Sequence, residues 1–266
     1  MLKILFIGDT VGKIGRQTLK KILPGIRREH KPDLIIANAE NIAHGTGLSA
    51  ATLEEAMDAG VDLFTSGDHA FDKEKGFLDC LNKGLPIIRP ANYPSGVPGE
   101  GYKTFEAKDR KILVINLLGR VFMGMDYDCP FRKLDEILSN CPREDFSAII
   151  IDIHAEATSE KVAFFHHADG RASAVLGTHT HVMTADGQVS KEGTAFLSDT
   201  GMVGFADGCI GIKKENILKT FLTQIKYPHE IPEAGRTIFN AILVSIDEKT
   251  GRALGITPII KFTHIK

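Results

Sequence analysis

Two histidines separated by one residue lie in the run Gly177-Thr178-His179-Thr180-His181, directly after a predicted buried strand at residues 172–176. Neutral imidazole is the commonest side-chain metal ligand in proteins, and two imidazoles that leave one strand end can reach the same ion. A His-x-His pair also occurs by chance in surface loops. The pair therefore indicates a metal site only if ligand-type residues follow other strands of the chain.

Four further predicted strands stop at residues that commonly bind metal ions. In α/β proteins, sites form outside the carboxyl ends of parallel strands, so these side chains are expected to meet at one edge of a sheet. One such ending is ordinary, because acidic residues often follow strands, but five in one chain indicate a shared site. The residues at the five strand ends are Asp9, Glu40 with Asn41, Asp68 with His69, His154, and His179 with His181.

The types of ligand predict which ions this site takes and which reaction it performs. Carboxylates, one amide and several imidazoles suit divalent Mn, Fe, Zn or Co rather than calcium. The candidates outnumber the ligands of one ion, and a carboxylate such as Glu40 can bridge two ions. Two ions about 3.5–4 Å apart can activate a bridging hydroxide and hold phosphoryl oxygens during an in-line displacement. The pattern therefore predicts hydrolysis of phosphate esters by a two-metal centre.

The elements that position these residues alternate between strand and helix. In the first part of the chain, apolar strands at residues 2–7, 34–38 and 61–65 are separated by helical patterns at 16–29 and 49–59. Pro24 and Gly25 weaken the second half of the first helix. The alternation predicts βαβ units, an α/β fold and a mostly parallel sheet. The remaining predicted elements are a hairpin at 102–105 and 110–117, helices at 131–139 and 159–165, and strands at 147–153, 172–176, 195–197, 236–247 and 253–262.

The composition predicts one globular domain spanning residues 1–266. The formal net charge of -2 and the absence of a basic tract argue against a broad RNA-binding face, so any RNA would have to be held by the site itself. The four cysteines form no C-x-x-C pair and indicate reduced thiols in a cytoplasmic protein. The apolar start of the chain stops at Asp9, which is too short for a signal peptide, and no later run suggests a membrane span.

The motifs around these residues resemble those of the calcineurin-like metallophosphoesterases, and most closely those of the YmdB-like bacterial phosphodiesterases. The resemblance covers nearly the whole chain and implies a sandwich of two mixed β-sheets flanked by helices, in the order αββα. The matching residues are Gly8-Asp9, Ala39-Glu40-Asn41, Gly67-Asp68-His69, His154 and residues 177–181, with the runs RPANYP at 89–94, NLLGR at 116–120 and DTGM at 199–202.

The resemblance also implies a role for each matched residue. The metal ligands divide into two sets that share one carboxylate: Asp9, Glu40, Asn41 and His181 for one ion, and Glu40, Asp68, His154 and His179 for the other. His69 would orient the phosphate and protonate the leaving oxygen as general acid. The implied cofactors are two divalent ions, Fe or Mn, with Zn accepted by the same ligands. The implied substrates are phosphodiesters such as 2′,3′-cyclic nucleotides, and a homo-oligomer is the implied assembly.

Two positions depart from the pattern of the calcineurin-like enzymes. Val11 stands where most of these enzymes carry a histidine; the YmdB-like branch shares this loss, and Asn41 would fill the place. Asp68 stands where the family generally has asparagine in a Gly-Asn-His motif. Its extra negative charge predicts tighter metal binding, a less electrophilic pair of ions and a higher pKa of the bound water.

Several other residues are candidates with ordinary alternatives. Asn92, in a proline-rich loop, is a candidate for contact with the phosphate of the substrate, with a structural role in the loop as the alternative. Asp72 and Asp199 are candidates for fixing imidazoles through hydrogen bonds, with a capping or surface position as the alternative. His44 either touches substrate or fills its loop. His166 and His167 are candidate ligands that are expected instead in an exposed turn.

Two other functions fit the same residues. A phosphomonoesterase or nucleotidase would use the same metals, and turnover of diesters against monoesters separates it from a phosphodiesterase. A regulatory or RNA-binding protein would keep the metal fold with little turnover. The complete ligand set, His69 and the net charge of -2 argue against the latter, whereas Asp68 leaves room for it.

Overall fold

The computed structural model describes residues 1–266 and contains two β-sheets. The thirteen strands are β1 (Leu2–Ile7), β2 (Asp9–Thr10), β3 (Leu34–Asn38), β4 (Leu63–Thr65), β5 (Tyr102–Ala107), β6 (Arg110–Leu118), β7 (Ala148–His154), β8 (Ala174–Thr178), β9 (Gln188–Val189), β10 (Ala195–Leu197), β11 (Met202–Phe205), β12 (Gly235–Ile246) and β13 (Ala253–Ile265). The six α-helices are α1 (Gly12–His30), α2 (Ala50–Asp58), α3 (Glu74–Asn82), α4 (Pro130–Asn140), α5 (Thr158–Ala168) and α6 (Lys214–Thr223).

Both sheets are mixed. The first has the order β2-β11-β12-β1-β3-β4, with β13 paired to β12. Its strands β1, β3 and β4 are parallel, whereas β12 runs antiparallel to β1, β11 and β13. The second has the order β5-β6-β7-β8-β10-β9, with β6, β7, β8 and β10 parallel. Short antiparallel pairings, β5 with β6 and β9 with β10, close its two edges.

Apolar side chains from the facing sides of the two sheets form the centre of the molecule. Phe6 and Ile36 of the first sheet belong to one buried cluster with Val114, Ile150 and Leu176 of the second. The central strands β3 and β7 are buried along their whole length, which explains their continuous apolar sequences.

Helices cover the outer face of each sheet. Leu19 of α1, Leu53 of α2 and Phe77 of α3 pack in a second buried cluster against the first sheet. Leu134 of α4 and Phe164 of α5 pack in a third cluster against the second sheet. The layer order is therefore helix, sheet, sheet, helix, and the predicted αββα sandwich is confirmed.

Helix α1 differs from its sequence prediction, because it begins at Gly12 and continues through Pro24 to His30. A proline inside a helix removes a hydrogen bond and costs about 3 kcal/mol. Burial of the apolar side of α1, including Leu23 and Ile26 on either side of the proline, compensates for that loss.

Other elements show where local sequence was informative and where it was not. Ser49 caps α2 in a reciprocal capping box with Thr52. His166 and His167 lie in the last turn of α5, which corrects the prediction that they lie in a turn between elements. Helices α3 and α6 were not predicted from the sequence. No helix has the length and hydrophobicity needed to cross a bilayer.

Candidate metal centre

The ligand-type residues meet at one edge of the sandwich, where strands of both sheets end. The connection after β1, β3 or β4 carries an acidic residue within three positions of each strand, and β7 and β8 end at or just before histidines. The first sheet supplies three carboxylates and the second sheet three imidazoles, which are Asp9, Glu40, Asp68, His154, His179 and His181.

These six side chains form two adjoining groups. Within each group, the potential ligand atoms lie within 4.8 Å of one another. Glu40 belongs to both groups, so one carboxylate stands between two positions for a cation. The first group is Glu40, Asp68, His154 and His179, and the second is Asp9, Glu40 and His181.

The first group is tightly packed around the ring of His154. Its Nε2 lies 3.0 Å from Glu40 Oε2 and 3.1 Å from Asp68 Oδ1. The Nδ1 atom of His179 lies 3.0 Å from the same nitrogen. Two carboxylate oxygens and two imidazole nitrogens therefore converge, which is the donor set of a divalent transition-metal site.

The second group contains a buried atom that has no partner in the protein. Asp9 is fully buried, and its Oδ2 accepts a hydrogen bond of 3.1 Å from the backbone N–H of His179. Its Oδ1 makes no hydrogen bond and lies 4.0 Å from His181 Nε2. An unpaired buried carboxylate oxygen is costly, so a cation at this position fits the residues present.

Asn41 and Gly67 complete the surroundings of the two groups. The Nδ2 atom of Asn41 lies 2.8 Å from Glu40 Oε1 and 3.2 Å from His181 Nε2, so its amide borders the second group. A Cβ atom on Gly67 would stand 2.0 Å from Glu40 Oε2 and 2.4 Å from His154 Nε2. Only glycine allows the backbone to pass this close to the ligands.

The charges at the site favour a cation between the carboxylates. Burial raises the pKa of Asp9 to about 7. Burial alone would raise the pKa of Glu40 and Asp68, but the neighbouring His154 outweighs burial and lowers both values. Burial alone would lower the pKa of His154, but Glu40 and Asp68 raise it well above its ordinary value. A positive charge at this position therefore stabilises the ionised carboxylates.

A buried polar network orients the ring of His154 through its Nδ1 atom, on the side away from the ligand group. Its Nδ1 lies 2.8 Å from Thr178 Oγ1, and that hydroxyl donates to Asp152 Oδ1 at 2.7 Å. The other oxygen of Asp152 accepts from Thr65 Oγ1 at 2.5 Å and from Asn38 Nδ2 at 3.1 Å. These contacts join both sheets and direct Nε2 of His154 toward the ligands.

The loop that carries His179 and His181 is held by a buried ion pair. Both histidines have positive φ, 104° and 65°, a conformation that costs energy for non-glycine residues. Lys161 Nζ lies 2.8 Å from Asp199 Oδ2 and donates to the carbonyl of Thr178 at 2.8 Å. Asp199 also accepts from the backbone N–H of Thr180 at 3.0 Å, so the pair fixes the loop on both sides of His179.

His69 stands beside the first group without belonging to it. Its Nδ1 forms a hydrogen bond of 2.7 Å with Asp72 Oδ2, and its backbone N–H lies 3.4 Å from Glu40 Oε2. Burial would lower the pKa of His69, but the charges of Glu40, Asp68 and Asp72 raise it. The side chain remains 38% exposed, so a ligand from solvent can reach it.

Comparison with known proteins identifies the family. A family model described as "YmdB-like protein" matches residues 5–259. This chain belongs to the YmdB-like family. A 2′,3′-cyclic-nucleotide 2′-phosphodiesterase of Bacillus subtilis is 41% identical over 259 residues, which are 97% of each chain.

Solved structures agree with the family and the fold. The crystal structure of a phosphatase from Mycoplasma pneumoniae is 32% identical, with a TM-score of 0.91 over 99% of this chain and 94% of that one. A nucleotidase acting on NAD from Haemophilus influenzae is 15% identical, with a TM-score of 0.63 over 99% of this chain and 56% of that one, and shows the likeness of fold alone. The YmdB-like resemblance and the metallophosphoesterase sandwich are confirmed.

The side-chain amide of Asn92 in this YmdB-like chain is engaged inside the protein, which corrects the candidate contact with phosphate. The side chain is fully buried. Its Nδ2 donates to the carbonyls of Leu118 and Asp128, both at 2.8 Å, and its Oδ1 accepts from the N–H of Leu118 at 2.8 Å. These bonds use its amide to hold two loops together.

The supporting residues Asp152, Thr178 and Lys161 were missed in the sequence. Asp152 lies inside the otherwise apolar strand β7, Thr178 ends the buried strand β8, and Lys161 lies on the buried side of α5. A charged residue at a core position requires a partner, and this was the available signal. The partners lie in other elements, so the sequence did not show which residues they were.

Proposed function

We propose that this YmdB-like protein is a metal-dependent phosphodiesterase that hydrolyses 2′,3′-cyclic nucleotides. The observation that carries the proposal is Glu40, whose carboxylate is shared by two adjoining groups of metal ligands. The reaction catalysed by the B. subtilis relative supports the choice of substrate. Because both sheets supply ligands to one site, we also infer that residues 1–266 act as a single domain.

The ligands divide between two divalent ions as the geometry of the two groups suggests. Asn41, which borders the second group, would complete the set of Asp9, Glu40 and His181, because Val11 offers no ligand there. Bound ions supply a nucleophile from water and offset the negative charge on the phosphoryl oxygens. Fe or Mn suits these ligands, and Zn binds the same donor set.

His69 is proposed as the general acid. Asp72 accepts the Nδ1 proton of its ring, and the raised pKa of His69 favours the imidazolium, whose second proton on Nε2 is the one available to the leaving oxygen of the ribose. Its backbone lies against Glu40, so the ring stands next to the phosphate position. His69 would therefore orient the phosphate and donate a proton as the ester bond breaks.

The test is metal content by mass spectrometry on protein purified without oxygen, with hydrolysis assayed on the same sample. We expect about two ions per chain and conversion of 2′,3′-cyclic AMP to adenosine 3′-monophosphate. A nitrophenyl phosphate monoester is the comparison substrate. If the protein holds two ions but hydrolyses only the monoester, it is a phosphatase and not a phosphodiesterase. If it holds two ions and hydrolyses neither substrate, a binding role is favoured. Protein that binds no metal after reconstitution with Mn or Fe would overturn both.

Location and assembly are part of the same proposal. The four cysteines, Cys80, Cys129, Cys141 and Cys209, are free thiols, which is consistent with the reducing cytoplasm. The proposal that the protein forms a homo-oligomer rests on the family resemblance. The mass of the protein in sedimentation equilibrium tests this assembly.

A further inference from the structure

An apolar groove of about 570 Å³ opens directly beside the metal centre. Its floor is one face of the β12–β13 hairpin, in which Asn240 pairs with Ile260 and Ile238 with Phe262. Further along β12, Ile242 lies in the core between the sheets. Since side chains at alternate positions share a face, the inner face of the hairpin continues out of the core and becomes this floor.

The opposite side of the groove comes from the loop that follows β8. Val182 and Met183 directly follow His181, and Ile210 accepts a hydrogen bond of 3.0 Å from His181 Nδ1 through its carbonyl. His181 therefore belongs to both the metal centre and the groove. A substrate whose phosphate lies at the metals can extend into the groove without a break.

The groove combines exposed apolar surface with few polar groups. Ile260 and Phe262 are 50% and 53% exposed although they are large apolar side chains. Asn240 is only 2% exposed, and its Oδ1 has no hydrogen-bond partner. Apolar walls with one or two directed polar groups are typical of small-molecule sites, and the volume lies in their usual range of about 300–1,000 Å³.

The charges in the groove suit a ligand that carries a phosphate. No carboxylate is among its lining residues. Arg236 is the lining cation; it pairs with Asp207 at 2.9 Å, and its guanidinium lies 4.2 Å from the centroid of the Phe262 ring. This stacked arrangement presents an aromatic and guanidinium surface of the kind on which planar bases stack.

We propose that this groove binds the base of the nucleotide whose phosphate lies at the metal centre. A base has the flat apolar faces that the floor accepts and a polar edge for the unpartnered Oδ1 of Asn240. The assignment rests on the proposed function, because it takes the phosphate position from the metal ligands. Phe262, Ile260 and Asn240 then determine the preference for nucleotides over other diesters.

The test compares one substrate that has a base with one that lacks it. The substrates are 2′,3′-cyclic AMP and the 2′,3′-cyclic phosphate of methyl riboside. The variants are Phe262→Ala and Ile260→Glu, and the matched control is Lys261→Ala, which lies between them on the opposite face of β13. We expect KM for cyclic AMP to rise roughly tenfold in both variants, with KM for the riboside unchanged. The control should match wild type for both substrates.

A binding measurement separates failure of the groove from failure of the proposed function. Titration calorimetry of metal-loaded protein with adenosine 3′-monophosphate and with inorganic phosphate gives affinities that do not depend on turnover. If wild type hydrolyses no cyclic nucleotide but binds the nucleotide more tightly than phosphate, and the variants lose this difference, the groove stands and the proposed reaction falls. If hydrolysis proceeds but the variants change KM equally for both substrates, or for neither, the groove assignment is wrong. A change of oligomeric mass with unchanged KM would instead make this face a contact between copies and would overturn the proposal.

Discussion

Asp68 places a full negative charge where the resemblance to the calcineurin-like enzymes implies an asparagine amide. Its Oδ1 lies 3.1 Å from His154 Nε2 and 3.6 Å from His179 Nδ1, so the charge points into the first ligand group. With Glu40 and Asp9 it brings three carboxylates to the centre. More negative charge holds divalent ions more tightly but leaves them less able to polarise water.

Asp68→Asn should therefore weaken metal binding and shift the pH–rate profile. We expect the acid limb of kcat/KM for a cyclic nucleotide to move to lower pH by roughly one unit, because one negative charge has left the centre. Competition with a chelator measures the metal affinity, and kcat/KM between pH 5 and 9 measures the profile. An unchanged profile would mean that the charge of Asp68 does not reach the reacting water.

His69 is predicted to act on the reaction and not on metal binding. His69→Ala should lower kcat by about 10²–10⁴-fold, as is usual for loss of a general acid, while the metal content stays the same. His167→Ala is the control, because His167 in the last turn of α5 pairs with Asp135 of α4 and belongs to neither ligand group. Loss of metal in His69→Ala would make His69 a ligand and contradict its assignment as the acid.

At the scale of elements, α5 supports the metal centre from outside. Its residue Lys161 is 1% exposed and pairs with the equally buried Asp199. The adjacent Glu160 accepts backbone N–H bonds from Arg120 at 2.9 Å and Val121 at 3.0 Å. The first turn of α5 thus holds two loops, one of which carries the ligands His179 and His181.

Breaking the Lys161–Asp199 pair should disturb both stability and metal binding. Removal of one partner leaves a buried charge without compensation, which costs about 3–5 kcal/mol. Lys161→Met is therefore expected to lower the free energy of unfolding by that amount in urea and to weaken binding of the ion at His181. The control is Lys133→Met, which removes an exposed pair with Glu136 and should change stability by less than about 0.5 kcal/mol. Unchanged metal affinity in Lys161→Met would limit the pair to a role in folding.

The same elements show how much of the site the sequence contained. The ends of β1, β3, β4, β7 and β8 were predictable, because each is an apolar run that stops at a ligand-type residue. The division into two sheets was not predictable from local patterns. Strand β1 pairs with β12, which lies near the other end of the chain, and a local pattern does not indicate such a distant partner. Asn92 is the converse case: its place in a rigid loop suggests a contact with the phosphate, whereas its amide holds the loop itself.

In the whole molecule, the site lies where the two sheets meet, and each sheet contributes a different type of ligand. The carboxylates come from the first sheet and the imidazoles from the second. Ions bound between them tie the two layers together at this edge. Metal removal should therefore lower the stability of the entire domain, by about 2.7 kcal/mol for each ion that was present at a hundred times its Kd.

The loss of stability on metal removal should depend on pH through Asp9. Burial raises its pKa from 3.8 to about 7, so the metal-free folded protein binds this proton more strongly than the unfolded chain does. Its contribution to stability is complete below about pH 4 and is lost as the pH rises toward 7, by up to about 4 kcal/mol. An Asp9→Asn side chain stays neutral, so in protein dialysed against a chelator Asp9→Asn should gain Tm relative to wild type as the pH increases from 4 to 8. A difference in Tm that is constant over this range would show that Asp9 is already ionised in the folded, metal-free state.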